Sequence, residues 1–439
     1  MIKLRGEETL AKINKLQNIL FILTGVFCTL GALMFKVGGT QLAIVNLFIF
    51  AAIALQLVTP KIHFQKYKIP FIVLIISFSI STVVSNLTLG GSWAPESLRF
   101  TLKIALFLLP LVLLFSDEEL KEKSKCFFYG LKISCYIQLF WELAQILLWN
   151  VFSISLNQVV FGDLLKITVT HQWTFISDGY FRPTGVSWEP ANLSLALVVG
   201  FILTKNKILK VLFSLGVILS TSRTGIIIYL LAVGIYSVRY LYNFKKENRK
   251  IEIKFRKKEI IISAVAFIAL VAAIVIFRDS IVNKFDMMLN SVARTFQKLN
   301  VVNSDDSSAN MHMRYYLEIP ALISKSTVVN FLFGYGTSCA GYPYTHFFGI
   351  YDYIPNWNPE SDFITTLFGN GILGFGAYYY FMGMNLKLNK DNFKGILLII
   401  VLLFAGIFYL YIRSTWPLII LIMLYINKDS KDSKFELGD

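Results

Sequence analysis

The chain is poor in the residues that staple or arm most soluble proteins. It has four Cys and four His in 439 residues. Cys28, Cys126 and Cys135 fall in apolar stretches and Cys339 stands alone outside them, which excludes a disulfide framework. Neither residue type recurs at metal-ligand spacing, so no metal and no cofactor is expected. Charged residues make up 16% of the chain, and no polar stretch is both long and charged enough for a separate soluble domain. The N-terminus has no short apolar region ending in a small-residue cleavage site, so no removable signal peptide is expected.

What the chain has instead is apolar length, with 55% hydrophobic residues. About twelve stretches are apolar enough to cross a bilayer, for which about 20 residues suffice. They run over 16–36, 41–59, 70–90, 98–115, 126–149, 188–204, 208–222, 224–242, 259–277, 361–385, 395–412 and 415–427. Lys and Arg gather in every second gap. One side holds Lys3 to Lys15, Lys61 to Lys68, Lys121 to Lys125, Lys205 to Lys210, Lys245 to Lys258, Lys387 to Lys394 and Lys428 to Lys434. Basic gaps stay in the cytoplasm, so both termini are expected there. The net charge of +15 follows from topology and from anionic lipid headgroups, not from a nucleic-acid partner. The expectation is an all-α polytopic membrane protein, with residues 1–439 forming a single integral membrane domain.

Two outer loops stand out by size, 150–187 and 278–360; the other outer connections are short. Intramembrane charges are few, and the polar, aromatic and Gly/Pro-rich material lies outside, which favours extracytoplasmic chemistry over transport. Within the second loop, Ile281, Phe285, Met288, Leu289, Val292, Phe296 and Leu299 repeat at helical spacing, the pattern of a helix lying in the membrane interface. Asn303 to Ser308 offers N-caps before a helix expected over 311–323, which Pro320 ends or kinks. The aromatic run Tyr342, Tyr344, Phe347, Phe348, Tyr351, Tyr353 and Trp357 reads either as interfacial anchors or as a platform for sugar C–H groups.

Four outer motifs could carry chemistry. Arg182-Pro-Thr-Gly185-Val-Ser-Trp188-Glu189-Pro190 enters the sixth span. Ser220-Thr-Ser222-Arg223-Thr-Gly225 forms the turn between spans seven and eight. Arg314 lies in the long loop. Glu360-Ser361-Asp362 precedes Gly369-Asn-Gly371-Ile-Leu-Gly374 at the tenth span. Arg223 is the most telling, because an outward turn between apolar spans needs no cation and this side disfavours one. Its planar fork suits phosphate oxygens, and Ser220, Ser222 and Thr224 add hydroxyls. Together with Arg182 and Arg314 it reads as a receptor for a diphosphate. Glu360, at the boundary where a loop enters a span, is expected to be partly desolvated, which suits it to accept a proton. Asp362 would point elsewhere, and Glu360 and Asp362 can each also serve as a solvated helix-start acid; Glu189 is the rival base. The glycines from Gly369 to Gly376 are expected to serve packing.

On these residues the chain resembles the O-antigen polymerase and O-antigen ligase superfamily. The ligases carry a His, a small polar residue, nine others and then Gly-x-x-Gly entering a span. Here Glu360-Ser361, residues 362–370 and Gly371-Ile-Leu-Gly374 keep that spacing with Glu in place of His. Ser222-Arg223-Thr-Gly225 is similar to the family's first functional Arg, Arg314 to the second, and Arg182-x-x-Gly185 with Glu189-Pro190 to a polymerase segment. The resemblance covers about residues 180–425. It implies a type C glycosyltransferase-like fold of about twelve transmembrane helices with a large helical extracytoplasmic loop. It also implies undecaprenyl-diphosphate-linked glycan as donor and acceptor, in a bacterial inner membrane with the active site periplasmic.

In that frame Arg223, Arg314 and Glu360 are catalytic candidates, and Arg182, Glu189, Ser222, Asp362 and Trp357 are substrate-binding candidates. A chain-length-regulating co-polymerase is an implied partner. The Glu in place of His favours a polymerase, metal-independent because arginines would neutralise the diphosphate and inverting because the displacement is direct; a ligase or a non-enzymatic flippase of lipid-linked sugar are the alternatives.

Overall fold

A computed structural model describes residues 2–37, 40–58, 61–89, 93–167, 174, 176–177, 180–187, 189–246, 313–350, 357–411 and 416–426. The expected span 259–277, the interfacial helix 281–299, the caps from Asn303 to Ser308, and Trp188, Tyr351 and Tyr353 lie outside the described residues. The chain divides into two compact units: Met1–Cys28, Leu33–Ile133 and Asn303–Asp439 form unit one, and Thr29–Ala32 with Ser134–Val302 form unit two.

Each expected apolar segment within the described residues is largely helical. Unit one contains α1 (Ile2–Cys28), a short antiparallel hairpin of β1 (Met34–Val37) and β2 (Thr40–Ala43), α2 (Ile44–Gln56), α3 (Ile69–Thr88) and α4 (Trp93–Leu114). The long helix α5 (Asp117–Phe152) begins there and runs on into unit two. Unit two adds a π-helical turn at Gln158–Leu164, a second hairpin of β3 (Ile176–Ser177) and β4 (Tyr180–Phe181), α6 (Pro190–Leu203), α7 (Lys207–Leu219) and α8 (Arg223–Lys246). Unit one is completed by α9 (Ile319–Lys325), α10 (Val328–Phe333), α11 (Gly341–Phe348), α12 (Asp362–Leu388), α13 (Phe393–Phe408) and α14 (Trp416–Ile426). Among the described residues, four helical stretches are long and apolar enough to cross a membrane: Lys66–Thr88, Trp93–Leu114, Asp117–Phe152 and Arg223–Tyr242.

Local chemistry explains the helix ends. Pro70 and Pro190 occupy the first turns of α3 and α6, where a missing N–H costs nothing. The Asn206 side chain caps α7 by accepting from the Ile208 and Leu209 N–H groups at 2.9 and 3.3 Å. Every residue of α14 is buried, as suits a helix that is apolar all round. α6 plays the same part in unit two, packing against both α7 and α8. In the long loop the helix expected over 311–323 is broken at Glu318, and Pro320 sits in the first turn of α9.

One glycine does more than pack. Helix α12 breaks at Gly371, whose φ of 65° and ψ of −177° are not helical. The Phe368 and Gly369 carbonyls beside the break accept the Tyr335 and Gly336 N–H groups at 2.8 and 2.9 Å. Ser81 Oγ of α3 also donates to the Gly369 carbonyl at 2.6 Å. The Thr337 hydroxyl lies 2.6 Å from Asn370 Oδ1 and 3.0 Å from the Phe78 carbonyl. The approaching loop needs glycine as well, because Gly334 and Gly336 have φ of 82° and 119°. A Cβ on Gly371 would run into the Gly334 nitrogen, and one on Gly334 into the Gly369 carbonyl.

Gly334→Ala and Gly371→Ala are each expected to lower stability by about 1–3 kcal/mol, the cost of a strained left-handed residue. Gly376→Ala, whose Cβ would meet nothing within 4 Å, is expected to be neutral or stabilising. Thermal unfolding of the three purified variants in one detergent checks this order.

Candidate active site

In unit two, the segment from Arg182 to Ser187 has no regular backbone pairing and is held by side chains of α5. Gln138 Oε1 accepts the Val186 N–H and Gln145 Oε1 the Gly185 N–H, both at 2.8 Å. Gln138 Nε2 donates to the Thr29 carbonyl at 2.7 Å and to Ser187 Oγ at 3.0 Å. Asn157, just before the π-helical turn, donates to Thr184 Oγ1 at 3.0 Å and the Gly185 carbonyl at 2.9 Å, and accepts from Trp141 Nε1 at 2.7 Å. Buried polar groups in an apolar surround require such satisfaction.

This cradle delivers Arg182 to the turn that bears Arg223. The half-buried Arg182 donates from Nε to Thr221 Oγ1 and from Nη2 to the Thr221 carbonyl, both at 3.1 Å. Thr221 is left-handed, with φ of 52°. Arg223 is half-buried at the first position of α8. The serines expected to contact phosphate are engaged within the turn. Ser220 Oγ donates to the Val217 carbonyl at 2.7 Å, while the buried Ser222 accepts the Gly225 N–H at 3.2 Å as a cap. Glu189 is the half-buried N-cap residue of α6, with extended backbone.

In unit one, Arg314 is exposed and pairs with Glu318 one helical turn on, at 3.2 Å. Its neighbour Tyr316 lies 2.9 Å from Ser361 Oγ and donates to the Ile407 carbonyl, so the start of α12 is tied to the long loop. Burial pushes the Tyr316 phenol above its usual value; the Ser361 hydrogen bond opposes that shift and the Asp362 charge adds to it. Glu360 differs from expectation in exposure. Glu360 stands exposed, whereas Asp362 is buried against Gly406 of α13, where a Cβ would lie 2.8 Å from its carboxylate. The reason is helical phase: Ser361 is the N-cap of α12, leaving Glu360 outside the helix and turning Asp362 inward.

The described members of the aromatic run pack largely against other rings. Trp357 lies 5.5 Å from Tyr315 and 6.2 Å from Tyr344, ring centre to ring centre, and the Tyr344 hydroxyl donates to the Tyr315 carbonyl at 2.6 Å. Tyr342 stacks on the exposed His346 at 5.2 Å. Lys325 lies over the rings of Phe348 and Phe347 at 4.6 and 5.8 Å.

No curated protein matches the chain. Residues 208–379, however, match a family model described as O-antigen ligase. That match makes this stretch similar to the O-antigen polymerase and ligase superfamily. The O-antigen family region takes in Arg223, Arg314, Glu360, Asp362 and the Gly371 break; Arg182, Glu189 and the α5 cradle precede it. It leaves the choice between polymerase and ligase open.

Two features went unread in the sequence. The cradle residues Gln138 and Gln145 share one face of α5 with Glu142, and that polar stripe at helical spacing inside an apolar span was the available signal. The clasp at Gly371 had only a run of glycines to announce it, which packing explains equally well.

Gln138→Leu strands the Val186 N–H in an apolar surround and is expected to cost about 1–3 kcal/mol. A surface change such as Asn150→Ala should cost much less, since Asn150 donates only to its own helix. Denaturation of the two variants side by side provides the measurement.

Proposed function

We propose that the protein polymerises undecaprenyl-diphosphate-linked repeat units into O-antigen or a related surface polysaccharide. The observation that carries this reading is the fastening of Arg182 to the turn that presents Arg223. One guanidinium on a short turn beside an apolar helix and a second fastened to that turn suit the diphosphate of a membrane-embedded donor. The O-antigen family match over that turn supports a lipid-linked glycan as the substrate class. The Glu at position 360, where ligases carry His, favours polymerase over ligase.

In the reaction, a hydroxyl of the acceptor repeat unit attacks the anomeric carbon of the donor glycan. The carbon–oxygen bond to the diphosphate breaks, and the prenyl diphosphate leaves with the bonding pair. Arg223 and Arg182 stabilise the charge that develops on it, and Arg314 contributes to its neutralisation. Glu360 takes the acceptor proton; its exposure leaves it accessible to an incoming sugar. The direct displacement inverts the anomeric carbon. The reading further comprises about twelve spans in a type C arrangement, both termini in the cytoplasm, the reaction at the outer face of a bacterial inner membrane, and a separate co-polymerase that sets chain length.

The test is purified protein supplied with lipid-linked repeat units alone. A ladder of lengthening glycans is expected. Transfer only to lipid A core would make the protein a ligase, and translocation without bond formation would make it a flippase. Arg223→Ala and Arg314→Ala should abolish chain growth while the protein still inserts normally. Glu360→Gln should lose about 10²–10⁴-fold in rate, the usual worth of a general base, with donor binding retained. Full activity of that variant would pass the role to Glu189.

A further inference from the structure

A carboxylate lies buried in unit two that the reaction above does not use. Glu142 is fully buried in α5, on the face that also carries Gln138 and Gln145. Helix α7 makes room for it: a Cβ on Gly216 would lie 2.6 Å from Glu142 Oε2. The Gly216 carbonyl accepts the Ser220 N–H at 2.8 Å, so the turn bearing Arg223 begins one helical turn beyond the carboxylate. On α5, Gln138 and Gln145 hold Val186 and Gly185, a few residues from Arg182. Glu142 therefore lies between the two segments that carry the arginines.

A buried carboxylate needs a counter-charge or several donors. Among the described residues of unit two, Lys166, Lys205, Lys207 and Arg239 are exposed. Lys210 sits over the rings of Tyr236 and Phe201 at 4.1 and 5.3 Å. Of the unit-two cations whose exposure is described, those that remain are the half-buried Arg182 and Arg223. We infer that Glu142 is a positioning residue of the anion-binding turn, whose buried charge holds Arg182 and Arg223 in the orientation that receives a diphosphate. This rests on the reading of that turn given above and adds a residue outside the matched family region.

The test measures binding of a short-chain prenyl diphosphate to the purified full-length protein and to its Glu142→Gln, Glu142→Asp and Arg223→Ala variants, alongside thermal unfolding. Removing a negative charge near an anion would by Coulomb's law alone strengthen binding. Loss of positioning instead weakens it, by at least about ten-fold for Glu142→Gln, with partial recovery in Glu142→Asp and no loss of thermal stability. Unchanged or tighter binding by a folded Glu142→Gln, with Arg223→Ala still impaired, would overturn this inference and leave the proposed function standing. Equal binding by wild type and Arg223→Ala, or none by wild type, would overturn both. Should Glu142→Gln fail to fold, Gly216→Ala replaces it, because its Cβ displaces the carboxylate. The same loss is expected there, and full binding would be the contrary result.

Discussion

Irregular backbone inside an apolar bundle has to find its hydrogen-bond partners within the protein, because lipid offers none. That constraint shapes both units. In unit one it is met where α12 breaks: the carbonyls at Phe368 and Gly369 accept from Tyr335 and Gly336, and Ser81 adds a hydroxyl. In unit two it is met along the segment from Thr184 to Ser187, where Gln138, Gln145 and Asn157 supply the partners that a helix or strand would otherwise provide. In both places a stretch that could not survive against hydrocarbon becomes rigid, and the residues it carries acquire fixed positions.

The chemistry follows from that rigidity. Arg182 reaches Thr221 because its own segment is pinned to α5, and Thr221 is left-handed because the turn between α7 and α8 is tight. Ser220 and Ser222 complete the turn by capping it, so in the proposed reading the arginines, not the hydroxyls, meet the ligand. A guanidinium held as Arg182 is, by two hydrogen bonds to Thr221, would lose little freedom when an anion arrives. In unit one the Tyr316–Ser361 contact plays the equivalent part, tying the loop that carries Arg314 to the helix start beside Glu360 and Asp362.

Much of this was legible in the sequence. The apolar segments became helices because length and hydropathy leave little alternative, and Pro70, Pro190 and Asn206 marked starts that the structure keeps. Arg223 was visible as a cation in a short turn between two apolar segments. The exposures of Glu360 and Asp362 were not legible, because they depend on which residue caps α12, and a shift of one position exchanges an outward acid for an inward one. The fate of Trp357 and Tyr344 was equally hidden, since ring-on-ring packing and sugar platforms use the same residues. The break at Gly371 depends on a loop more than thirty residues earlier in the chain, and a contact of that kind leaves no local pattern.

The central claim is that the turn joining α7 to α8 receives a diphosphate through Arg182 and Arg223. A cryo-EM map of the full-length protein in lipid nanodiscs with a bound prenyl diphosphate measures it most directly. The account predicts phosphate density within hydrogen-bond distance of the Arg223 guanidinium on the extracytoplasmic side. Diphosphate density held elsewhere, with Arg223 facing the cytoplasm or hydrocarbon, would contradict it.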